Sequence, residues 1–362
     1  MTDGARWLET LAERAAERLD PSLLEYLLQG ARSSTTAAEA EAAWSSVRFR
    51  PRVLRGVSEV DTGTTLLGRR YEAPYGVAPT SLQRAVHPEG EVAMARATAA
   101  AGVPLVVSSN AGSSFADIAT TGVDWWVQAY LPRDRALAEP MLARAVEAGA
   151  GAVVLTVDTP VVGTKYATPD VPVVWDLVDP RSVRVNFDRG YDDRPGAEKA
   201  LDLGAADVRW LGEVTGLPVV VKGVLHPDDA VTAADAGAAA VWVSNHGGRQ
   251  LDRAAATAHC LPAVVNAVAA AGEAVEVYVD GGIRSGLDLL AALALGARAA
   301  FVGRPAALAL VDGAEGVARL HEELRAQLTD ALLLSGCGTP LQARDALVAG
   351  GPAGSPPPPN GT

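Results

Sequence analysis

Two observations predict the fold class of this chain. Eight short apolar runs are each followed by an Ala/Leu-rich stretch of helical composition, and polar residues gather at the ends of those runs. Together they predict an α/β protein: a (β/α)8 TIM barrel with an N-terminal helical extension and a long loop after the fourth strand. The extension comes first. From Ala5 to roughly Gly30 the chain reads as helix, with Trp7, Leu8, Leu11, Leu19, Leu23, Leu24 and Leu27 spaced to give apolar faces. The runs then follow in order: YGVAPT (75–80), PLVVSS (104–109), WWVQAY (125–130), AVVLTVD (152–158), PVVVKG (218–223), AVWVSNH (240–246), EVYVDGG (276–282) and AAFVGR (299–304). Segments such as EGEVAMARATAAAG (89–102) and SGLDLLAALALGA (285–297) carry the intervening helical pattern. Parallel strands need such crossovers, and eight units close naturally into a barrel. A doubly wound open sheet shows the same alternation. The strand ends favour the barrel, because nearly every run starts apolar and finishes in Thr, Ser, Gln/Tyr, Asp, Lys, His or Arg, where barrel enzymes carry their chemistry.

One interval breaks the rhythm. Between Asp158 and Pro218 lie 59 residues, enough for a helix near Ala205–Thr215 plus the Pro-, Gly- and Asp-containing segment 159–196. That segment reads as an irregular excursion over the strand ends, where active-site loops sit. The expected organisation is one domain over residues 1–349, helical over 1–70 and barrel over 71–349, with a Pro/Gly-rich tail, 350–362, expected to be disordered.

Composition narrows the function. With 43 acidic residues against 31 Lys and Arg the net charge is −12, which disfavours nucleic acid or an anionic membrane as partner. Nowhere do about 18 apolar residues run together, and the N-terminus lacks a basic start followed by an apolar stretch. Two cysteines, Cys260 and Cys337, are too few for a disulfide framework or a thiolate metal site. The expectation is a cytoplasmic enzyme without a metal, acting on a small molecule.

The last two units end in DGGIRSG (280–286) and GRP (303–305). Glycines let backbone N–H groups approach an anion, Arg284 and Arg304 supply charge, and a helix N-terminus follows each turn, so a phosphate is expected there. The sixth unit ends in SNHGGRQ (244–250). His246 suits a general base, Arg249 a bidentate carboxylate clamp, Asp158 a partner that orients the imidazole, and Lys222 a charge that neutralises a reduced cofactor. Tyr130 projects on the same face.

At SNHGGRQLD (244–252) the chain resembles the FMN-dependent 2-hydroxy-acid oxidases and dehydrogenases. Further matches run from YLLQGA (26–31) through RFRPRVL (48–54), APTSLQRAVHPEGE (78–91), VQAY (127–130), LTVDTP (155–160), LPVVVKGV (217–224) and VDGGIRSGLDLLAALALGARAAFVGRP (279–305) to LSGC (334–337). The resemblance implies an FMN-binding barrel that oxidises an L-2-hydroxy acid to the 2-oxo acid. It implies that Ala78, Pro79, Thr80, Ser108, Gln128, Thr156, Lys222 and Ser244 contact the flavin ring and ribityl chain. Asp280, Gly281, Gly282, Arg284, Gly303 and Arg304 are implied at the ribityl and phosphate end. His246 matches the base that takes the hydroxyl proton while hydride passes to the flavin, a carbanion route being the alternative. Asp158 is its partner, Arg249 the carboxylate clamp, Tyr26 a second carboxylate contact, and Tyr130 a hydrogen-bond donor to the reacting oxygen. The resemblance also implies a homo-oligomer, a tetramer, and leaves the electron acceptor open between oxygen and another species.

Three departures stand out. Lys165 takes the place of a second substrate arginine, Ser81 and Asn110 stand beside the flavin where Ala or Gly and, in some members, a bulky aromatic are usual, and the excursion after Lys165 is unlike the family's usual loop. They keep two other expectations alive: a larger or non-carboxylate alcohol or amine substrate on the same flavin, or a non-redox enzyme of an FMN or phosphate ligand.

Overall fold

The computed structural model describes residues 4–346 apart from 167, 180, 181 and 273; the expected tail, 350–362, lies outside them. Eight parallel strands close into a barrel in the order β10-β3-β4-β5-β6-β7-β8-β9: β3 (Tyr75–Val77), β4 (Leu105–Ser108), β5 (Trp125–Ala129), β6 (Val153–Thr156), β7 (Val219–Val224), β8 (Ala240–Val243), β9 (Glu276–Val279) and β10 (Ala299–Val302). Seven lie inside one of the eight apolar runs, and β7 overruns its own by one residue, Val224. Helices Gly90–Ala101 and Gly286–Ala294 follow β3 and β9, and the expected helix at Ala205–Thr215 precedes β7.

Strand periodicity builds the site. Side chains alternate between the two faces, so every second residue enters the barrel. Val106, Trp126, Val154, Val220, Trp242, Tyr278 and Phe301 form one inward layer, fully buried and packed together. Its aromatic members touch, with ring centroids 4.0 Å apart for Trp242–Phe301 and 5.7 Å for Trp126–Tyr278. Two residues further on along six of these strands stand Ser108, Gln128, Thr156, Lys222, Ser244 and Asp280, buried and polar. The apolar layer is the floor, and the polar layer faces the C-terminal mouth.

The N-terminal segment corrects the expectation in two ways. It is not one helix but Leu11–Ala16 and Pro21–Leu28, after a first short turn at Gly4–Trp7. Asp20 ends the first stretch and caps the second, its carboxylate accepting from the Ser22 N–H at 2.8 Å, and Pro21 has no N–H with which to continue a helix. Nor is all of 1–70 helical or irregular: β1 (Thr64–Leu66) and β2 (Arg69–Tyr71) form an antiparallel hairpin. Leu67 and Gly68, at φ 49° and 79°, supply the two left-handed turn residues that a tight hairpin needs. Leu66 and Tyr71 pack beneath the aromatic floor, and the Leu67 N–H donates to the Glu276 carboxylate at 3.0 Å, so the hairpin closes the N-terminal mouth. The helix Thr35–Ser45, unmarked in the sequence reading, lies at the opposite mouth, where the Trp44 indole donates to the Gly281 carbonyl at 2.7 Å.

Candidate active site

The pocket at the C-terminal mouth is lined by Ala78, Pro79, Thr80, Ser81, Ser108, Gln128, Thr156, Lys222, Asp280, Gly281, Gly282, Gly303, Arg284 and Arg304, together with Tyr26, Tyr130, His246 and Arg249. Of the sequence-predicted residues only Asp158, Ser244 and Lys165 are absent from its wall, and each is bonded to a neighbour of it. The polar layer is bonded in two groups of three. Ser108 Oγ donates to Gln128 Oε1 at 3.2 Å, and Gln128 Nε2 donates to Thr156 Oγ1 at 3.0 Å. Lys222 Nζ donates to Ser244 Oγ at 2.8 Å and pairs with Asp280 Oδ2 at 2.9 Å.

A strand irregularity brings the base and its partner together. The β7–β8 register shifts between Lys222 and Val224, and Gly223 sits there at φ 112°. A Cβ on Gly223 would lie 2.6 Å from the Cβ of Asp158, so only glycine admits that carboxylate. Asp158 Oδ1 lies 2.9 Å from His246 Nδ1, and Thr159 Oγ1 donates to the same oxygen at 3.0 Å. Burial by itself would raise the Asp158 carboxyl, but the His246 ring and the Lys222 ammonium hold it below the usual range. An ionised Asp158 fixes the proton on Nδ1 and leaves Nε2 as the basic nitrogen. His246 itself is at φ 56°, followed by Gly247 and Gly248 at 62° and 75°, and its N–H donates to Ser244 Oγ at 3.1 Å. A histidine in the left-handed region is strained, and here the strain sits on the reacting side chain.

The carboxylate end is assembled from distant segments. Arg249 Nη1 donates to the carbonyls of Tyr26 and Gln29 at 2.6 and 2.9 Å, and its guanidinium lies 4.7 Å from the Tyr26 ring centroid. Its Nε and Nη2 have no acceptor among the described residues. Tyr130 is partly buried, and the desolvation of its phenol, with the Asp158 charge, holds it well above the usual value, so it stays a donor.

An outer cavity of about 450 Å³ adjoins this end, covered by the excursion after β6, and both Lys165 and Lys199 line it. The excursion is irregular as expected, with one helical turn at Val174–Leu177 and a 3-10 turn at Tyr191–Asp193. Lys165 Nζ donates to the carbonyls of Gly163 and Arg249 at 2.7 and 2.6 Å. Burial, with Arg249 and Lys199 nearby, lowers it to about 8. Sequence reasoning passed over Lys199 and Thr159. Thr159 follows directly on Asp158 and was findable; Lys199 has no local signal.

The far end fits the phosphate of a flavin mononucleotide. Arg304 is enclosed with no carboxylate at ion-pair distance among the described residues, donating to the carbonyls of Leu27, Gly247 and Gln29. Burial, with Arg249 and Arg284 beside it, lowers its guanidinium to about 9, the mark of a positive site without its anion. Arg284 lies next to it, paired with Glu41 at 2.8 Å. Between ring and phosphate ends, Asp280 Oδ1 is buried without a partner, an acceptor left for a ribityl hydroxyl.

A polar-ringed barrel mouth with an anion end, a His–Asp pair and an arginine clamp defines a flavin-dependent oxidoreductase that oxidises α-hydroxy acids. Residues 15–349 match the family described as FMN-dependent dehydrogenase. The chain is 41% identical over 339 residues to glycolate oxidase 1 of Zea mays, covering 89% of this chain and 90% of that one. It is 39% identical over 334 residues to glycolate oxidase 3 of Arabidopsis thaliana, with the same coverage. Among solved structures, mandelate oxidase with benzoyl-formic acid superposes with a TM-score of 0.83 at 38% identity, covering 93% of this chain and 96% of that one. The chain belongs to the FMN-dependent dehydrogenase family, and its cofactor is FMN.

Proposed function

We propose that His246, Asp158, Tyr130, Arg249 and Tyr26 carry the oxidation of an L-2-hydroxy acid to its 2-oxo acid. The observation that supports this most is the His246–Asp158 pair at 2.9 Å, set in the barrel-mouth pocket beside Arg249, two of whose guanidinium nitrogens have no acceptor among the described residues. Arg249 and Tyr26 bind and orient the substrate carboxylate. His246 Nε2 removes the hydroxyl proton, and Asp158 stabilises the imidazolium that results. Tyr130 donates a hydrogen bond to the oxygen as it becomes a carbonyl. FMN, when bound, would supply the two-electron redox chemistry, and the residues above would hold and deprotonate the substrate beside it. The pocket residues Ala78 to Arg304 named above would hold the cofactor, with Lys222 placed to offset negative charge on the ring.

Relatives named glycolate oxidase and mandelate oxidase support dioxygen as final acceptor, leaving as hydrogen peroxide. The two free cysteines support a reducing compartment, read as the cytoplasm. A homo-oligomer, tetrameric by resemblance, and a single domain over 1–349 complete the reading; light scattering and limited proteolysis test them. The direct experiment is anaerobic mixing of the yellow holoenzyme with glycolate, lactate and mandelate. At least one should bleach the flavin absorbance, and admitting air should restore it with stoichiometric peroxide. Retention of colour with every 2-hydroxy acid tried would move the assignment to another alcohol or amine substrate.

A further inference from the structure

The excursion after β6 delivers a second lysine to the substrate cavity. Lys199 is held by main-chain pairing with Pro132, two residues beyond Tyr130, and its Nζ stands 4.1 Å from the Tyr130 ring centroid. Among the described residues it has no hydrogen-bond acceptor and no ion pair. Lys165, on the same cavity, is capped by two carbonyls. The nearby charges are engaged: Asp158 with His246, and Arg184 with Asp192, while Arg184 Nε also donates to Asn110 Oδ1 at 3.0 Å. Burial and the Arg184 charge lower the Lys199 pKa, with the Asp158 charge acting the other way. A half-buried cation facing a cavity with no acceptor costs free energy that an incoming anion relieves.

The substrate's own carboxylate is provided for by Arg249 and Tyr26, and the reacting carbon by His246 and Tyr130. The outer cavity, walled by Val173, Val174 and Trp175, also takes in Lys199 and Asn110, with Lys199 reaching it across the Tyr130 ring. We propose that Lys199 binds a second, distal acidic group, so that the preferred substrates are 2-hydroxy acids with a carboxylate at the far end of a short chain. Asn110, where a bulky aromatic stands in some relatives, leaves that end open and polar. The inference rests on the 2-hydroxy-acid reading of the site and deepens it.

Two probes of equal chain length, 2-hydroxyglutarate and 2-hydroxypentanoate, differ in the distal group alone. The holoenzyme should show kcat/KM at least tenfold higher for the diacid, through KM more than kcat. Lys199→Met should collapse that preference about tenfold to a hundredfold, as expected for one charge-assisted contact, and Lys199→Arg should retain most of it. Binding of the 2-oxo counterparts, 2-oxoglutarate and 2-oxopentanoate, followed by calorimetry, reads the same contrast without turnover. Equal binding of the two, or equal losses on both in Lys199→Met, would overturn the proposal and leave Lys199 as a support for Tyr130. Selective diacid binding without flavin reduction would uphold Lys199 as the anion contact and overturn the oxidation chemistry instead.

Discussion

The two nitrogens of His246 have different work, and the difference comes from Asp158. With Nδ1 bonded to a carboxylate held in its charged form, the ring presents one basic nitrogen and can store the proton it takes. His246→Ala should therefore keep the yellow holoenzyme intact and slow flavin reduction by about 10²–10⁴, the usual worth of a general base, measured by anaerobic stopped flow. Asp158→Asn should slow it by about ten- to a hundredfold, because the hydrogen bond survives but the charge that stabilises the imidazolium does not. An unchanged rate in His246→Ala would place the base elsewhere, and one in Asp158→Asn would show that the imidazolium does not need that charge. At the same scale, Lys165 shows how a residue can be correctly located in sequence and differently employed. It occupies the place of a substrate arginine, yet its ammonium is spent on the Gly163 and Arg249 carbonyls and so steadies the clamp's own backbone.

Among the elements, the long helix Gly313–Ser335 carries a titratable group into the core. His321 is buried against the helix Gly90–Ala101, with Nε2 3.2 Å from Thr98 Oγ1 and its ring stacked on Tyr75 at 5.8 Å. Burial, with Arg325 adding to it, lowers its pKa to about 3, so the native ring stays neutral. Below about 6.5 the unfolded chain binds a proton that the folded chain refuses, so stability falls as pH drops from about 6.5 towards 3. Between pH 7 and pH 5 this group should cost about 2 kcal/mol, at about 1.4 kcal/mol for each unit below 6.5. His321→Gln should flatten that limb, read as urea midpoints at the two pH values. A variant that loses as much as the wild type would mean that the native ring takes up its proton.

For the whole molecule, the pocket couples cofactor to fold. Its walls come from the eight strands or the turns that follow them and from the N-terminal segment, so FMN bound there would tie segments from Tyr26 to Ala307 together. FMN at a hundredfold over its dissociation constant should stabilise the protein by about 2.7 kcal/mol and raise Tm by a few degrees in calorimetry. Riboflavin, which lacks the phosphate that Arg284 and Arg304 await, should give a smaller shift. Identical shifts would place the anion site elsewhere.

How much of this was legible beforehand follows from the range of each interaction. The eight strands could be read because a parallel barrel strand is a local run of β-branched residues, and the polar layer because strand periodicity is also local. His246, Arg249 and Asp158 could be read because each sits at the end of such a run in a distinctive setting. The break at Asp20–Pro21 has only a proline to mark it, among seven apolar residues spaced as on one continuous helix. The hairpin at 64–71 was hidden because two three-residue strands make no periodic signal, and its role as a plug depends on Leu66 and Tyr71 meeting the aromatic floor. Sequence by itself determined the barrel and the FMN cofactor, and it singled out His246 as the candidate base. Only the tertiary structure decided which lysine faces the substrate with its charge free, since that depends on which main-chain carbonyls an irregular excursion brings within reach of Lys165 and which it withholds from Lys199.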